Sequence, residues 1–259
     1  YMQETLRIAV QKSGRLYEGS MKLLKECGIE VSNGNNQLRV IAANFPVEVF
    51  FLRDDDIPEY VQDAVADIGF VGENVVSEKN KEVDSIEKLG FGKCRLSLAV
   101  PKNGSLQSLN DLQGKKIATS YPFILSNFLK EKNITAAIHE ISGSVEIAPK
   151  IGLADAICDL VSSGSTLFTN ELKEIETILS SEAVLIKNKN LAAGKKNILE
   201  SLLFRIRSVK KAKNNKYVLL NAPNDKLEVI CGILPGMKSP TILPLAEPGW
   251  SSVHSVINE

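Results

Sequence analysis

Histidine is scarce in this chain of 259 residues: there are two, His139 and His254, beside a single tryptophan. That leaves little material for a histidine-ligated metal centre or a Ser-His-Asp triad, so both histidines are read as structural. The cysteines Cys27, Cys94, Cys158 and Cys231 stand far apart with no paired spacing. They suit neither a zinc site nor a disulfide framework, and reduced thiols in apolar settings are expected. Net charge is missing too, because 31 Lys+Arg balance 31 Asp+Glu. The long-range attraction for nucleic acid or an anionic membrane is thereby removed. No apolar run approaches the roughly 18 residues of a membrane span, and the amino end carries no basic, cleavable, apolar signal. The expectation is a cytoplasmic protein without nucleic-acid or membrane partners, in which any bound anion is met by local groups.

An apolar content of 44% is that of an ordinary globular protein, and the length predicts two or three compact units. Leu6 to Gln11 alternates as a strand, and KSGR turns the chain into a helix over about Leu16 to Cys27, stopped by Gly28. QLRVIAA and VEVFFLR read as strands. Asp56 and Pro58 open a helix that leads into the strand ADIGFVG. From Pro101 the pattern repeats, with a strand at Lys116 to Thr119, a helix opened by Pro122, the run AAIHEIS, a helix near Val145 to Ile151, and the strand ADAICDL. Strand and helix alternate, which implies mostly parallel sheets covered on both faces. ADIGF at 66–70 and ADAIC at 154–158 occupy equivalent places, so the α/β lobe reads as duplicated, with a cleft at the carboxyl ends of its strands. ETILSS and AVLIK return the chain to the first lobe. A long helix then carries Ile198, Leu199, Leu202, Leu203, Ile206 and Val209 on one stripe. From Lys187 to Lys216 there are ten Lys/Arg and one acid, Glu200, read as a solvated helix face. KYVLLNAP, a helix near Leu227 to Leu234, TILPL and SVHSVI follow as β-α-β-β, the first part of a ferredoxin-like unit.

The chemistry concentrates between Glu146 and Leu167. There a buried strand delivers Asp155 and Asp159 and breaks into Ser162, Ser163, Gly164, Ser165 and Thr166. Successive backbone N–H groups in such a turn make an anion-binding nest, and the hydroxyls add donors. Carboxylates accept hydrogen bonds from ribose hydroxyls, so together these residues describe a sugar-phosphate site. Lys12 and Arg15 flank Gly14 at the first strand-to-helix turn, where cations and free N–H groups meet phosphates.

The segment from Glu146 to Leu167 resembles the signature of ATP phosphoribosyltransferases, the enzymes that begin histidine biosynthesis. LRIAVQKSGRL, LRDDDIP, ADIGFVGEN, KCRLSLAVP, IATSYP, KYVLLNAP and PTILPL agree with that family, so the resemblance runs from Leu6 to Ile257. It implies two catalytic lobes resembling periplasmic binding proteins of type II, at 1–98 with a return segment at about 180–190, and at 99–179. A C-terminal ferredoxin-like, ACT-like regulatory domain that binds histidine in the long form of the family follows, with its linker helix, at 191–259. Adenine N1 of ATP would attack C1 of phosphoribosyl pyrophosphate and expel pyrophosphate, with Mg²⁺ held mainly by substrate phosphates. By this resemblance Asp155, Asp159, Lys12 and Arg15 are catalytic, and Glu146, Asp155, Asp159 and Ser162 to Thr166 hold phosphoribosyl pyrophosphate. Gln11, Lys12, Gly14, Arg15, Arg53, Asp55, Asp67, Gly69 and Tyr121 hold ATP. A homo-oligomer, dimer to hexamer, with histidine as inhibitor is implied as well. The chain departs from the family at its carboxyl end, where the last helix and strand of the regulatory domain are expected and missing. A two-lobed binding module or regulatory subunit that catalyses nothing is the alternative from another class.

Overall fold

Strand β1 (Leu6–Gln11) forms where LRIAVQ is read as a strand, but it is not half-buried and alternating: Leu6, Ile8, Ala9 and Val10 are all fully buried, so both of its faces are covered. The structure, a computed structural model, describes residues 4–32, 37–234 and 240–258. It divides into two units, Tyr1–Glu200 and Ser201–Glu259. The first unit continues with α1 (Arg15–Glu26), β2 (Arg39–Ile41), β3 (Val47–Leu52), α2 (Ile57–Gln62), β4 (Ile68–Gly72), α3 (Glu73–Lys79) and β5 (Val83–Lys88). Then come β6 (Cys94–Pro101), β7 (Lys116–Thr119), α4 (Pro122–Glu131), β8 (Ala137–Glu140), β9 (Ala156–Val161), α5 (Ser165–Thr169), β10 (Leu172–Ser181) and β11 (Ala183–Asn188). Helix α6 (Ala193–Lys213) runs into the second unit, which holds β12 (Asn215–Pro223), α7 (Leu227–Ile233), β13 (Thr241–Pro244) and β14 (Trp250–Asn258).

The strands of the first unit form two sheets, ordered β2-β3-β1-β4-β11-β5 and β10-β6-β9-β7-β8. Each is the sheet of one lobe. Both are mixed and not mostly parallel: β3-β1-β4 and β8-β7-β9 are parallel, while β2, β11, β5, β6 and β10 join antiparallel. The parallel pairs follow helical crossovers within a lobe. The antiparallel strands β6 and β11 arrive from the other lobe, so no crossover dictates their direction. Strand β6 pairs along its length with β9 and β10, which moves the first crossing from residue 98 back to before Cys94. The helix expected near 145–151 is a single 3-10 turn, Val145–Ile147, because Pro149 offers no N–H to continue it.

In the second unit β14 lies between β12 and β13 and is antiparallel to both. With α7 following β12, this is the connectivity of the first four elements of a ferredoxin-like unit. All six apolar stripe residues of α6 are buried or half-buried. The basic run around the helix is in part structural: Lys187 pairs with Asp84 at 2.8 Å, Lys189 with Glu82 at 3.0 Å and Lys195 with Asp67 at 2.7 Å. None of the four cysteines forms a disulfide; Cys27 and Cys158 are buried, Cys94 and Cys231 half-buried. No helix among the described residues is long and apolar enough to cross a membrane.

Candidate active site

Strand β9 ends at buried Val161, and the next buried side chain is Leu167 in α5. Between these anchors the chain offers only small residues, with Ser162, Ser163, Ser165 and Thr166 exposed. Gly164 precedes α5 with φ +80°, a left-handed conformation that costs an L side chain about 1 kcal/mol although open space surrounds it. The glycine is therefore required by the backbone and not by packing. The Ser163 and Ser165 hydroxyls lie 2.9 Å apart, drawn to the same point. Asp159 is half-buried, and burial pushes its carboxyl above the usual range, with the charge of Glu146 adding to the push. The turn Val145–Ile147 thus brings Glu146 to Asp159, beside the start of the serine loop.

The opposite wall is the turn between β1 and α1. The Lys12 N–H donates to the Leu52 carbonyl at 2.8 Å, extending the β1–β3 pairing by one residue, and leaves the lysine side chain exposed. Gly14 follows at the N-cap position of α1. Arg15 Nη1 donates to Ser162 Oγ at 3.0 Å, so the cationic turn of the first lobe touches the serine loop of the second. Behind this contact lies a cavity of about 240 Å³, whose lining includes Gln11, Arg15, Asp54, Asn74, Cys94 and Ser162. Asp54, and not the expected Asp55, faces it. Burial raises the Asp54 carboxyl, and the charge of Asp55 raises it further. Asp55 turns to solvent and meets Lys79 at 3.6 Å; Arg53, at the end of β3, is exposed. Tyr121 occupies the N-cap of α4, half-buried, where its hydroxyl accepts from Asn74 Nδ2 at 3.2 Å. Burial pushes its phenol above the ordinary value.

Three expected site residues lie elsewhere. Asp67 precedes β4 at its amino end. Its Oδ2 accepts the Arg7 backbone N–H at 2.8 Å, while its own N–H donates to the Arg7 carbonyl at 2.9 Å. Asp155 makes the same reciprocal pair with Lys116, at 2.8 Å in both directions. The two aspartates are equivalent clamps, each pinning two parallel strands at the end remote from the cleft. Four residues of strand separate Asp155 from Asp159, about 13 Å at 3.3 Å per residue, so one ribose cannot be held by both. Asp155 instead borders a cavity of about 410 Å³ with Lys115 and Lys116. Gly69 is buried in β4, where an added Cβ would come within 2.6 Å of Ile57 and 3.2 Å of Val61. It lets α2 lie against the sheet and meets no cleft.

Asn74, Asp54 and Cys94 are cleft residues that sequence reasoning passed over. The motif GEN directly after a buried strand was the available signal for Asn74. Among the described residues no group of three or more His, Cys, Asp or Glu is arranged to hold a metal ion. The carboxylates near the cleft are Asp54, which lines the cavity, and the pair Glu146 and Asp159 beside the serine loop. So few carboxylates suit a divalent cation that draws most of its ligands from substrate phosphates.

The sequence model described as ATP phosphoribosyltransferase matches residues 53–208, and that of the C-terminal domain of the same family matches 212–259. An ATP phosphoribosyltransferase of Cytophaga hutchinsonii is 60% identical over 258 residues, covering 100% of this chain and 90% of its own length. That of Bacteroides thetaiotaomicron is 59% identical, over 98% of this chain and 90% of the relative. Among solved structures, the ATP phosphoribosyl transferase (HisG:HisZ) complex from Thermotoga maritima has a TM-score of 0.70 at 28% identity, over 80% of this chain and 100% of that one. The substrate-binding protein of an amino acid ABC transporter reaches 0.55 at 14% identity, over 81% and 94%, a likeness of fold alone. With both family models matched in order and relatives similar over its whole length, the chain belongs to the ATP phosphoribosyltransferase family.

Proposed function

We propose that this chain transfers the phosphoribosyl group of phosphoribosyl pyrophosphate to adenine N1 of ATP, releasing pyrophosphate, the first step of histidine biosynthesis. The observation that carries this reading is the contact of Arg15 with Ser162, which joins a cation-bearing turn to a hydroxyl loop across one cleft. The ribose phosphate occupies the loop Ser162 to Thr166, with Asp159 and Glu146 accepting from ribose hydroxyls. Gln11, Lys12, Gly14 and Arg15 meet the ATP phosphates, with Arg53 and Asp54 at the rim and Tyr121 beside the base.

Adenine N1 already carries a lone pair, so the reaction needs no strong base. The obstacle is charge. Each like-charge pair at 4 Å costs about 1 kcal/mol in water and about 4 kcal/mol at an effective dielectric of 20. Lys12 and Arg15 counter that repulsion. They act most strongly on the departing pyrophosphate, whose charge grows in the transition state. The divalent cation is Mg²⁺, which when bound neutralises the substrate phosphates. The second unit binds histidine as a feedback inhibitor, and the enzyme acts as a cytoplasmic homo-oligomer.

The test is to incubate the protein with ATP, phosphoribosyl pyrophosphate and Mg²⁺, following pyrophosphate release and ultraviolet absorbance at the adenine. Turnover should require all three. If both ligands bind and no pyrophosphate appears, the reading fails and a binding module takes its place.

A further inference from the structure

Helix α3 leaves the first lobe's sheet at the cleft, and two of its side chains reach the second lobe. Asn74 and Glu78 are four residues apart, hence on one face of the helix. Asn74 is only 5% exposed. Its Oδ1 accepts the Ser181 hydroxyl at 2.9 Å, its backbone N–H donates to the same Ser181 Oγ at 3.1 Å, and its amide donates to the Tyr121 hydroxyl at 3.2 Å. Ser181 ends β10, two residues before the chain re-enters the first lobe as β11 at Ala183. Asn74 therefore ties the crossover itself to the mouth of α4.

Glu78 completes that mouth. A helix leaves its first backbone donors without partners. In α4 they are accounted for one by one: Tyr121 N–H donates to Thr119 Oγ1 at 2.9 Å, Pro122 has none, and Leu125 N–H returns to the Tyr121 carbonyl at 3.1 Å. The remaining two, Phe123 and Ile124, each donate to one oxygen of the Glu78 carboxylate, at 2.9 and 3.0 Å. A carboxylate at the positive end of a helix is favoured electrostatically as well.

We infer that α3 is an interlobe latch, in which Asn74 and Glu78 are positioning residues that hold Tyr121 and α4 at the closed spacing where Arg15 meets Ser162. Ligands that touch both lobes bind the closed form, so their apparent affinity falls by the fraction of molecules that remain closed. This rests on the reading of the cleft as the site of both substrates.

The experiment compares wild type, Glu78→Ala and Glu78→Gln, the last keeping one acceptor oxygen. In Glu78→Ala, KM for ATP and for phosphoribosyl pyrophosphate should rise together by at least about tenfold, with kcat at saturation within about twofold, because loss of two charge-assisted bonds disfavours the closed state and only the part that empties a closed majority raises KM. Glu78→Gln should fall between. Small-angle scattering of the unliganded proteins should give a larger radius of gyration for Glu78→Ala. Unchanged KM values, a rise for one substrate alone, or a loss of kcat at constant KM overturns the latch. Should wild type fail to turn over, the functional reading falls, and scattering alone decides the latch, equal radii overturning it.

Discussion

Replacing Asp67 by alanine should unfold the protein sooner and leave both KM values where they are. Asp67 is 5% exposed and its carboxylate accepts four hydrogen bonds, from the Arg7 backbone N–H at 2.8 Å, Arg7 Nε at 3.2 Å, Arg7 Nη2 at 3.0 Å and Lys195 Nζ at 2.7 Å. Burial alone would raise its carboxyl, but the bonds from Arg7 and Lys195 outweigh burial and hold it below the usual range. Truncation strands a guanidinium and an ammonium. Breaking a buried pair in this way costs about 3–5 kcal/mol. The Arg7 side chain keeps 32% exposure and that of Lys195 17%, so water recovers part of the loss and the lower end, about 3 kcal/mol, is expected. With a urea dependence of about 2–3 kcal/mol/M, the midpoint should drop by about 1–1.5 M. Urea titration followed by circular dichroism measures the first half of the claim, and steady-state kinetics at low temperature the second. A variant with the wild-type midpoint and a KM for ATP raised several-fold would refute the placement of Asp67 in the scaffold.

Asp159→Asn should do the reverse, raising stability near neutral pH while lowering kcat/KM for phosphoribosyl pyrophosphate by about 10–100-fold, the worth of a charge-assisted bond. Because the folded carboxyl is raised, wild type loses stability as pH rises from the unfolded value through the folded one. The advantage of the variant should therefore vanish in acid, and equal pH profiles would count against a buried, strained carboxylate. Glu174 is held at about 2, first by the hydrogen bonds of Arg95, at 2.6 Å to each carboxylate oxygen, with the Ser97 hydroxyl also at 2.6 Å. Its contribution is present above the ordinary 4.5 and is lost as pH falls toward 2. Glu174→Gln should cost about 1 kcal/mol at pH 7, kept small by the 37% exposure of Arg95, and less at pH 3. A cost that is the same at both pH values would show that the charge of Glu174 does not carry it.

β1, β7 and β9 were legible almost to the residue because each buries consecutive residues and so stands out as a short apolar run. The serine loop was legible for a related reason: its glycine and hydroxyls stand between apolar anchors, Val161 and Leu167. Direction was harder to see. Nothing local tells an antiparallel crossing strand such as β6 from a parallel one, since both are buried runs. The aspartates were misplaced because sequence gives spacing along a strand but not which end serves the cleft. Asp155 and Asp159 look like neighbours at i and i+4, which on a helix they would be, but a strand carries them about 13 Å apart. The repetition of Ala-Asp in both lobes already favoured a structural role, for a duplicated scaffold repeats its clamps while its two binding surfaces diverge. Asn74 was hidden because its partners, Tyr121 and Ser181, are 47 and 107 residues away.

That divergence can be followed through the cross-lobe contacts. With the clamps aligned, β1 corresponds to β7 and β4 to β9, so the turn after β1 is the counterpart of Tyr121-Pro122, and Asn74 is the counterpart of the serine loop. Each lobe thus touches the other in the same way, the turn of one against the strand end of its neighbour. Arg15 meets Ser162 in one contact and Tyr121 meets Asn74 in the other. The two have been put to opposite uses. The Asn74 contact is buried, and Glu78 takes the helix donors beside it that an anion would otherwise claim. The Ser162 contact is exposed, with its hydroxyls bonded to Arg15 and to one another and the Lys12 side chain open to solvent. A duplicated cleft would repeat both contacts open; with Glu78 occupying the donors of α4, the serine loop and the Lys12–Arg15 turn remain as the open pair that the proposed reading assigns to the two substrates.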